Sequence, residues 1–120
     1  MTKKVYGYEL IMDLCDCDKK VLTSKKKLKE YVDKLCKIIK MKKYGKTLLP
    51  YFGEKMAFTK GYSLVQLIET SSITGHFSDL WGRAYINIFS CRKFNHIAAK
   101  RFTRRFFRAK KVENRLLVQK

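Results

Sequence analysis

A chain of 120 residues has room for one hydrophobic core but not two, and folding can bury roughly 65% of its unfolded surface. With 46% hydrophobic residues the chain is expected to fold, and no apolar run of about 18 residues is present, which excludes a membrane-spanning helix. The formal net charge of +18, from 28 lysines and arginines against 10 aspartates and glutamates, is extreme for this length and pulls toward nucleic acid or another acidic surface.

The chain begins Met1-Thr2-Lys3-Lys4, but the polar stretch Tyr6-Gly7-Tyr8-Glu9 follows where a secretory signal would need uninterrupted apolar residues. A cytoplasmic location is the resulting expectation. Tyr8, Leu10, Met12 and Leu14 alternate with Glu9 and Asp13, which predicts a strand over 6–14 with one covered face. Thr23 and Ser24 are candidate N-caps, and Leu28, Tyr31, Val32, Leu35, Cys36 and Ile39 recur at three- and four-residue steps, which predicts a helix over 25–41. A short apolar segment over 47–52 reads as a second strand, and Pro50 demotes it to an edge or irregular one.

Three further strands are expected over 63–69, 71–77 and 84–90, the last two joined by the polar turn around Ser78, Asp79 and Gly82. Asn95 can cap a second helix over 96–109, and a final strand over 116–118 completes the set. The order β-α-β-β-β-β-α-β argues for an α+β two-layer sandwich, an antiparallel sheet with two helices packed on one face, formed by residues 1–120 as a single domain.

Four cysteines are present, Cys15, Cys17, Cys36 and Cys91, and in a reducing compartment they are thiols. Zinc would want two close ligand pairs, and only Cys15 and Cys17 are close; no metal is expected. The arginines all lie from Arg83 onward. Arg101, Arg104, Arg105 and Arg108 interleave with Phe102, Phe106 and Phe107, yet Ala98, Phe102, Phe106 and Ala109 form one apolar helical stripe with the arginines outside it. That is an amphipathic helix with a basic outer face, and incidental nucleic-acid binding follows from charge alone.

The densest chemistry lies in the middle of the chain: Ser63, then Glu69-Thr70-Ser71-Ser72-Ile73-Thr74-Gly75-His76, then Phe89-Ser90-Cys91. This pattern resembles the prokaryotic S-adenosylmethionine decarboxylase family, whose members cleave themselves before an internal serine and convert it to a pyruvoyl group. In that family a helper serine lies eight residues before the modified serine, a histidine five after it and a cysteine twenty after it. All three offsets are met if Ser71 is the modified residue, and Ser72 would put each out of register. The opening Gly7 to Leu14 with Cys17-Asp18 resembles the family's first strand and turn.

The resemblance implies a chemistry. Decarboxylating an α-amino acid requires an electron sink that ordinary side chains do not supply; a pyruvoyl ketone condenses with the substrate amine, and its neighbouring amide carbonyl accepts the electrons. Ser71 would attack the Thr70 carbonyl, His76 would serve as the processing base, Ser63 as the processing helper and Cys91 as the proton donor in turnover. Cleavage between Thr70 and Ser71 would leave a β chain, 1–70, and an α chain, 71–120, paired in a homodimer of αβ units. Strand alternation points Ser71 and His76 to opposite faces, so a bulge or turn near Gly75 is required if they meet.

This chain departs from the family in placing Thr70 and Ser72 where glutamate and histidine are usual. It also lacks the family's tryptophan after the histidine, leaving Phe77 or Trp81 as the aromatic platform for adenine. Three rival readings stand beside the S-adenosylmethionine decarboxylase: a pyruvoyl decarboxylase of ornithine or arginine, an unprocessed non-catalytic relative, and a small basic nucleic-acid-binding protein.

Overall fold

The computed structural model describes residues 4–120. Its elements are β1 (Gly7–Cys15), α1 (Lys19–Leu22), α2 (Lys25–Ile38), β2 (Tyr51–Phe52), β3 (Gly61–Ile68), β4 (Ser71–Ser78), β5 (Arg83–Ser90), α3 (His96–Phe107) and β6 (Lys111–Gln119). The strands form one six-stranded sheet in the order β2-β3-β4-β5-β1-β6, antiparallel throughout. Helices α2 and α3 cover one face, giving the expected two-layer α+β sandwich.

The two-residue periodicity of the strands divides their side chains between the layers. Leu10, Met12 and Leu14 of β1, Leu64 and Ile68 of β3, Ile73 of β4, and Ala84, Ile86 and Ile88 of β5 are buried under the helices. The opposite face, with Ser63, Val65, Leu67, His76, Asn87, Ile11 and Leu117, carries no covering layer.

Helix α2 starts where Ser24 Oγ accepts the Lys27 amide at 3.1 Å, and α3 where Asn95 Oδ1 accepts the Ala98 amide at 3.0 Å, each satisfying an otherwise orphaned donor. Thr23 instead closes α1, donating its hydroxyl to the Lys19 carbonyl. The helices are joined through Tyr31, whose fully buried hydroxyl lies 2.8 Å from Thr103 Oγ1 and whose ring meets Phe102, Phe106 and Phe107 at centroid distances of 5.7, 5.5 and 4.9 Å.

Several boundaries differ from expectation. Helix α2 stops at Ile38 rather than residue 41, because Lys40 turns left-handed at φ 57° and the Met41 amide closes on the Cys36 carbonyl. Helix α3 likewise stops at Phe107, with Arg108 left-handed at φ 51°. Of the 47–52 segment only Tyr51 and Phe52 pair as a ladder, with Leu48 making an isolated bridge to Val65. The last strand is three times the expected length, running along all of β1. Its polar residues, Lys111, Glu113, Asn114 and Arg115, hide it from a hydrophobicity pattern, as suits an exposed edge.

Candidate active site

The β3–β4 hairpin turns on Glu69 and Thr70, since Ile68 pairs with Ser71. Thr70 takes the left-handed conformation at φ 62°, an outlier for a β-branched residue and a store of about 1–3 kcal/mol of strain. Its carbonyl oxygen, part of the Thr70–Ser71 peptide, accepts the amide of Cys91 at 3.1 Å. The peptide expected to break therefore begins at a strained residue and carries a polarised carbonyl.

Ser71 opens β4 opposite Ser90 and faces the helices, only 8% exposed. Its Oγ lies 2.8 Å from Ser90 Oγ and 3.3 Å from Met41 Sδ. A hydroxyl has one proton to give, and the oxygen is the stronger acceptor. Ser90 is fully buried, and its Oγ also accepts the Arg92 amide at 2.9 Å. Cys91 follows Ser90 directly and is exposed. The Tyr6 hydroxyl is hydrogen-bonded to the Cys91 thiol, which raises the tyrosine pKa above its ordinary value, and the Tyr6 ring stacks on Phe89.

His76 lies five residues along β4, about 16 Å from Ser71 at ~3.3 Å per residue, and on the uncovered face. There it pairs with Ser63, whose Oγ is 3.1 Å from Nδ1. The four expected residues thus fall in two places: Ser63 with His76, side chain to side chain, and Ser71 near Cys91, linked only through the backbone bond from the Cys91 amide to the Thr70 carbonyl. No bulge joins them, because β4 pairs residue for residue with β3 over Ser71–His76 and with β5 over its full length. Gly75 serves packing instead. A Cβ there would stand 3.0 Å from the Phe77 ring and 3.6 Å from Leu64.

Ser63 and His76 line a cavity of about 430 Å³ together with Phe52, Phe58, Trp81 and Tyr85. Trp81, half exposed, stacks on Phe58 with centroids 4.8 Å apart and 16° between planes. Phe77, the aromatic expected beside the substrate, contributes to the cavity wall, but its side chain belongs to the core: it is 3% exposed and its ring stacks on Phe107 at 5.7 Å. The exposed aromatic of the wall is Trp81, with the Arg83 guanidinium carbon 5.7 Å from its ring centroid. No carboxylate lines this cavity; Asp79, just beyond β4, instead accepts the Tyr51 hydroxyl at 2.7 Å, a bond that pushes the tyrosine pKa up to about 12.

Sequence reasoning gave no role to Ser90 or Phe58. Ser90 stood inside the Phe89-Ser90-Cys91 motif, but only the β4–β5 register sets it against Ser71. No cluster of three or more histidine, cysteine, aspartate or glutamate side chains among the described residues could hold a metal ion, and no helix among them is long and apolar enough to cross a membrane.

Comparison with known proteins agrees with this architecture. The family model described as S-adenosylmethionine decarboxylase matches residues 8–119. The crystal structure of the adenosylmethionine decarboxylase from Aquifex aeolicus VF5 is similar at a TM-score of 0.82, with 16% identity over 98% of this chain and 92% of that one. No curated protein matches the sequence.

Proposed function

We propose, since this chain belongs to the S-adenosylmethionine decarboxylase family, that it is a self-processing enzyme that converts S-adenosylmethionine to its decarboxylated form, the aminopropyl donor of polyamine and spermidine synthesis. The observation that carries this reading is the Thr70–Ser71 peptide, with its left-handed Thr70 and its carbonyl held by the Cys91 amide.

Processing follows from that geometry. Ser71 Oγ bonds to the Thr70 carbonyl carbon while its proton leaves toward Ser90, and the Cys91 amide stabilises the oxygen as it gains negative charge. The carbon–nitrogen bond then breaks and the Ser71 nitrogen takes up a proton, leaving an ester. Loss of the Ser71 α-proton to a base expels the Thr70 carboxylate by β-elimination. The dehydroalanine left at position 71 tautomerises, and water displaces its nitrogen as ammonia. Chains 1–70 and 71–120 result. The pyruvoyl group so formed at position 71 supplies the electron sink, and Cys91, exposed beside it, returns a proton to the carbon that has lost carbon dioxide.

His76 is the base of this scheme, with Ser63 as its partner, yet neither reaches Ser71 within one chain. A second copy packed sheet to sheet, about a two-fold axis crossing β4 near its middle, would set the His76 end of one strand over the Ser71 end of the other. The uncovered face supports this pairing: it presents Val65, Leu67 and Leu117, which are 36%, 54% and 43% exposed. Each site then draws the Thr70–Ser71 backbone and Cys91 from one subunit and Ser63 and His76 from the other, while the Ser71 hydroxyl stays on the helix side with Ser90.

The cavity beside His76 favours S-adenosylmethionine over ornithine or arginine. Its walls are aromatic rings and hydroxyls, suited to a purine at about 0.5–1.5 kcal/mol per stacked pair beyond burial, and it has no carboxylate for a second amino or guanidinium group. Intact-mass analysis of the purified protein tests the whole reading, with two fragments meeting at Thr70 and Ser71 expected, the smaller lacking a free amino terminus. A single unmodified chain after long incubation would leave a non-catalytic relative as the better account, and carbon dioxide release from ornithine or arginine alone would overturn the substrate.

A further inference from the structure

Much of the charge of this chain lies on the two long helices that cover the sheet. Helix α2 carries six lysines against Glu30 and Asp33, and α3 with its cap Arg108 carries five basic residues and no acid. Those two segments hold half of the net +18. The acids of α2 are already engaged, Glu30 with Lys27 and Lys34 and Asp33 with Lys43. Arg104 caps its own helix, bonding the carbonyls of Ala109 and Lys110. Among the described residues, Arg101, Arg105 and Arg108 have no acidic partner.

The packing of α3 decides where these three point. Ala99, Thr103 and Phe107 are buried in the core, and Phe102 and Phe106 pack against Tyr31. Arg101, Arg105 and Arg108 are exposed at steps of four and three residues, so they form one ridge on the outer side, with about 6 Å of axial rise between the first two and about 10 Å across all three.

We propose that this ridge, flanked by the lysines of α2, is a binding surface for the phosphate backbone of nucleic acid. A duplex carries a charge every ~1.7 Å of axis, so each guanidinium finds a phosphate whatever the register, and guanidinium matches phosphate in a bidentate manner that ammonium cannot. The aromatic rings of α3 are turned inward, which leaves nothing to stack on bases, and binding is therefore indifferent to sequence. An anionic membrane is the poorer fit, because the exposed side of α3 offers only Ile97 as an apolar anchor.

Fluorescence anisotropy with labelled duplex DNA over a salt series tests this without substrate or processing, so its outcome is independent of the decarboxylase reading. The wild-type protein should bind with a steep loss of affinity as salt rises. In Arg101→Gln/Arg105→Gln/Arg108→Gln the slope of log affinity against log salt should shrink by about 2–3, at ~0.9 for each phosphate no longer neutralised. The control Lys46→Gln/Lys55→Gln/Lys60→Gln removes equal charge away from the helix layer and should keep nearly the full slope. Equal losses in the two variants would show that net charge alone acts and would overturn the site. Tighter binding to phosphatidylserine vesicles than to DNA at matched salt would overturn the partner. If the arginine triple variant unfolds, the single changes Arg101→Gln and Arg105→Gln should each lower the slope by about 1, and unchanged slopes would sink the proposal.

Discussion

Ser63 Oγ lies 3.1 Å from His76 Nδ1 across the β3–β4 ladder, and a regular strand carries His76 away from Ser71 to the opposite face. A composite site between two subunits predicts complementation. Ser71→Ala and His76→Ala proteins should each stay uncleaved alone. In mixed dimers the His76→Ala chain, which keeps its serine, should be cleaved by the His76 of the partner subunit, and intact mass should show its two fragments. If mixing restores no cleavage, the sheet-to-sheet pairing fails.

The left-handed Thr70 predicts a trade between stability and processing. Thr70→Gly should stabilise the uncleaved protein by about 1 kcal/mol, because glycine adopts φ 62° without the β-branched penalty. Thermal unfolding in a Ser71→Ala background reads that gain. With Ser71 present, cleavage should slow several-fold, as strain released at the hairpin no longer assists the reaction.

Ser90 Oγ accepts the Ser71 hydroxyl at 2.8 Å on the helix side of the sheet, which under the proposed processing makes it a positioning residue. Ser90→Ala removes the acceptor of the Ser71 hydroxyl and leaves the Arg92 amide without its partner, an effect of about 1–3 kcal/mol. Cleavage should fall on the order of tenfold or more, and Ser90→Thr, which keeps the hydroxyl, should restore it. Normal cleavage in Ser90→Ala would reduce the Ser71–Ser90 pair to packing.

The cysteines should sort by environment. Cys91 is exposed, whereas burial pushes the Cys17 thiol up to about 12 and the Cys36 thiol to about 11. Iodoacetamide at neutral pH should modify Cys91 well before Cys17 and Cys36, as peptide mass mapping would record. Cys91→Ala should still cleave but lose about 10²–10⁴-fold in decarboxylation. The raised Cys17 pKa also sets a pH dependence. Its contribution to stability is full below the unfolded value of 9.0 and declines as pH rises toward about 12, since the unfolded chain releases the proton first.

Trp81 and Phe77 should separate binding from folding. Trp81→Ala removes the exposed platform and should raise KM for S-adenosylmethionine with cleavage intact, whereas Phe77→Ala empties a core position against Phe107 and should cost about 3–5 kcal/mol of stability. A Phe77→Ala protein of normal stability but impaired substrate use would return the platform to Phe77.

Periodicity within the chain sufficed for β1, α2, β3, β4, β5 and α3, because the alternation from Tyr8 to Leu14 and the three-to-four spacing from Leu28 to Ile39 state which side of each element must leave water. Ser63, Ser71, His76 and Cys91 stand as candidates because their offsets match those of the family the sequence resembles. Pairing between distant segments decided the rest. The register that sets Ser90 against Ser71, the hydrogen bond from Cys91 to the Thr70 carbonyl, the full length of β6 and the burial of Phe77 all depend on partners that local spacing does not specify. The bulge expected at Gly75 is absent for the same reason: a glycine admits a bulge or a close neighbour equally well, and only the Phe77 ring packed beside it selects the second.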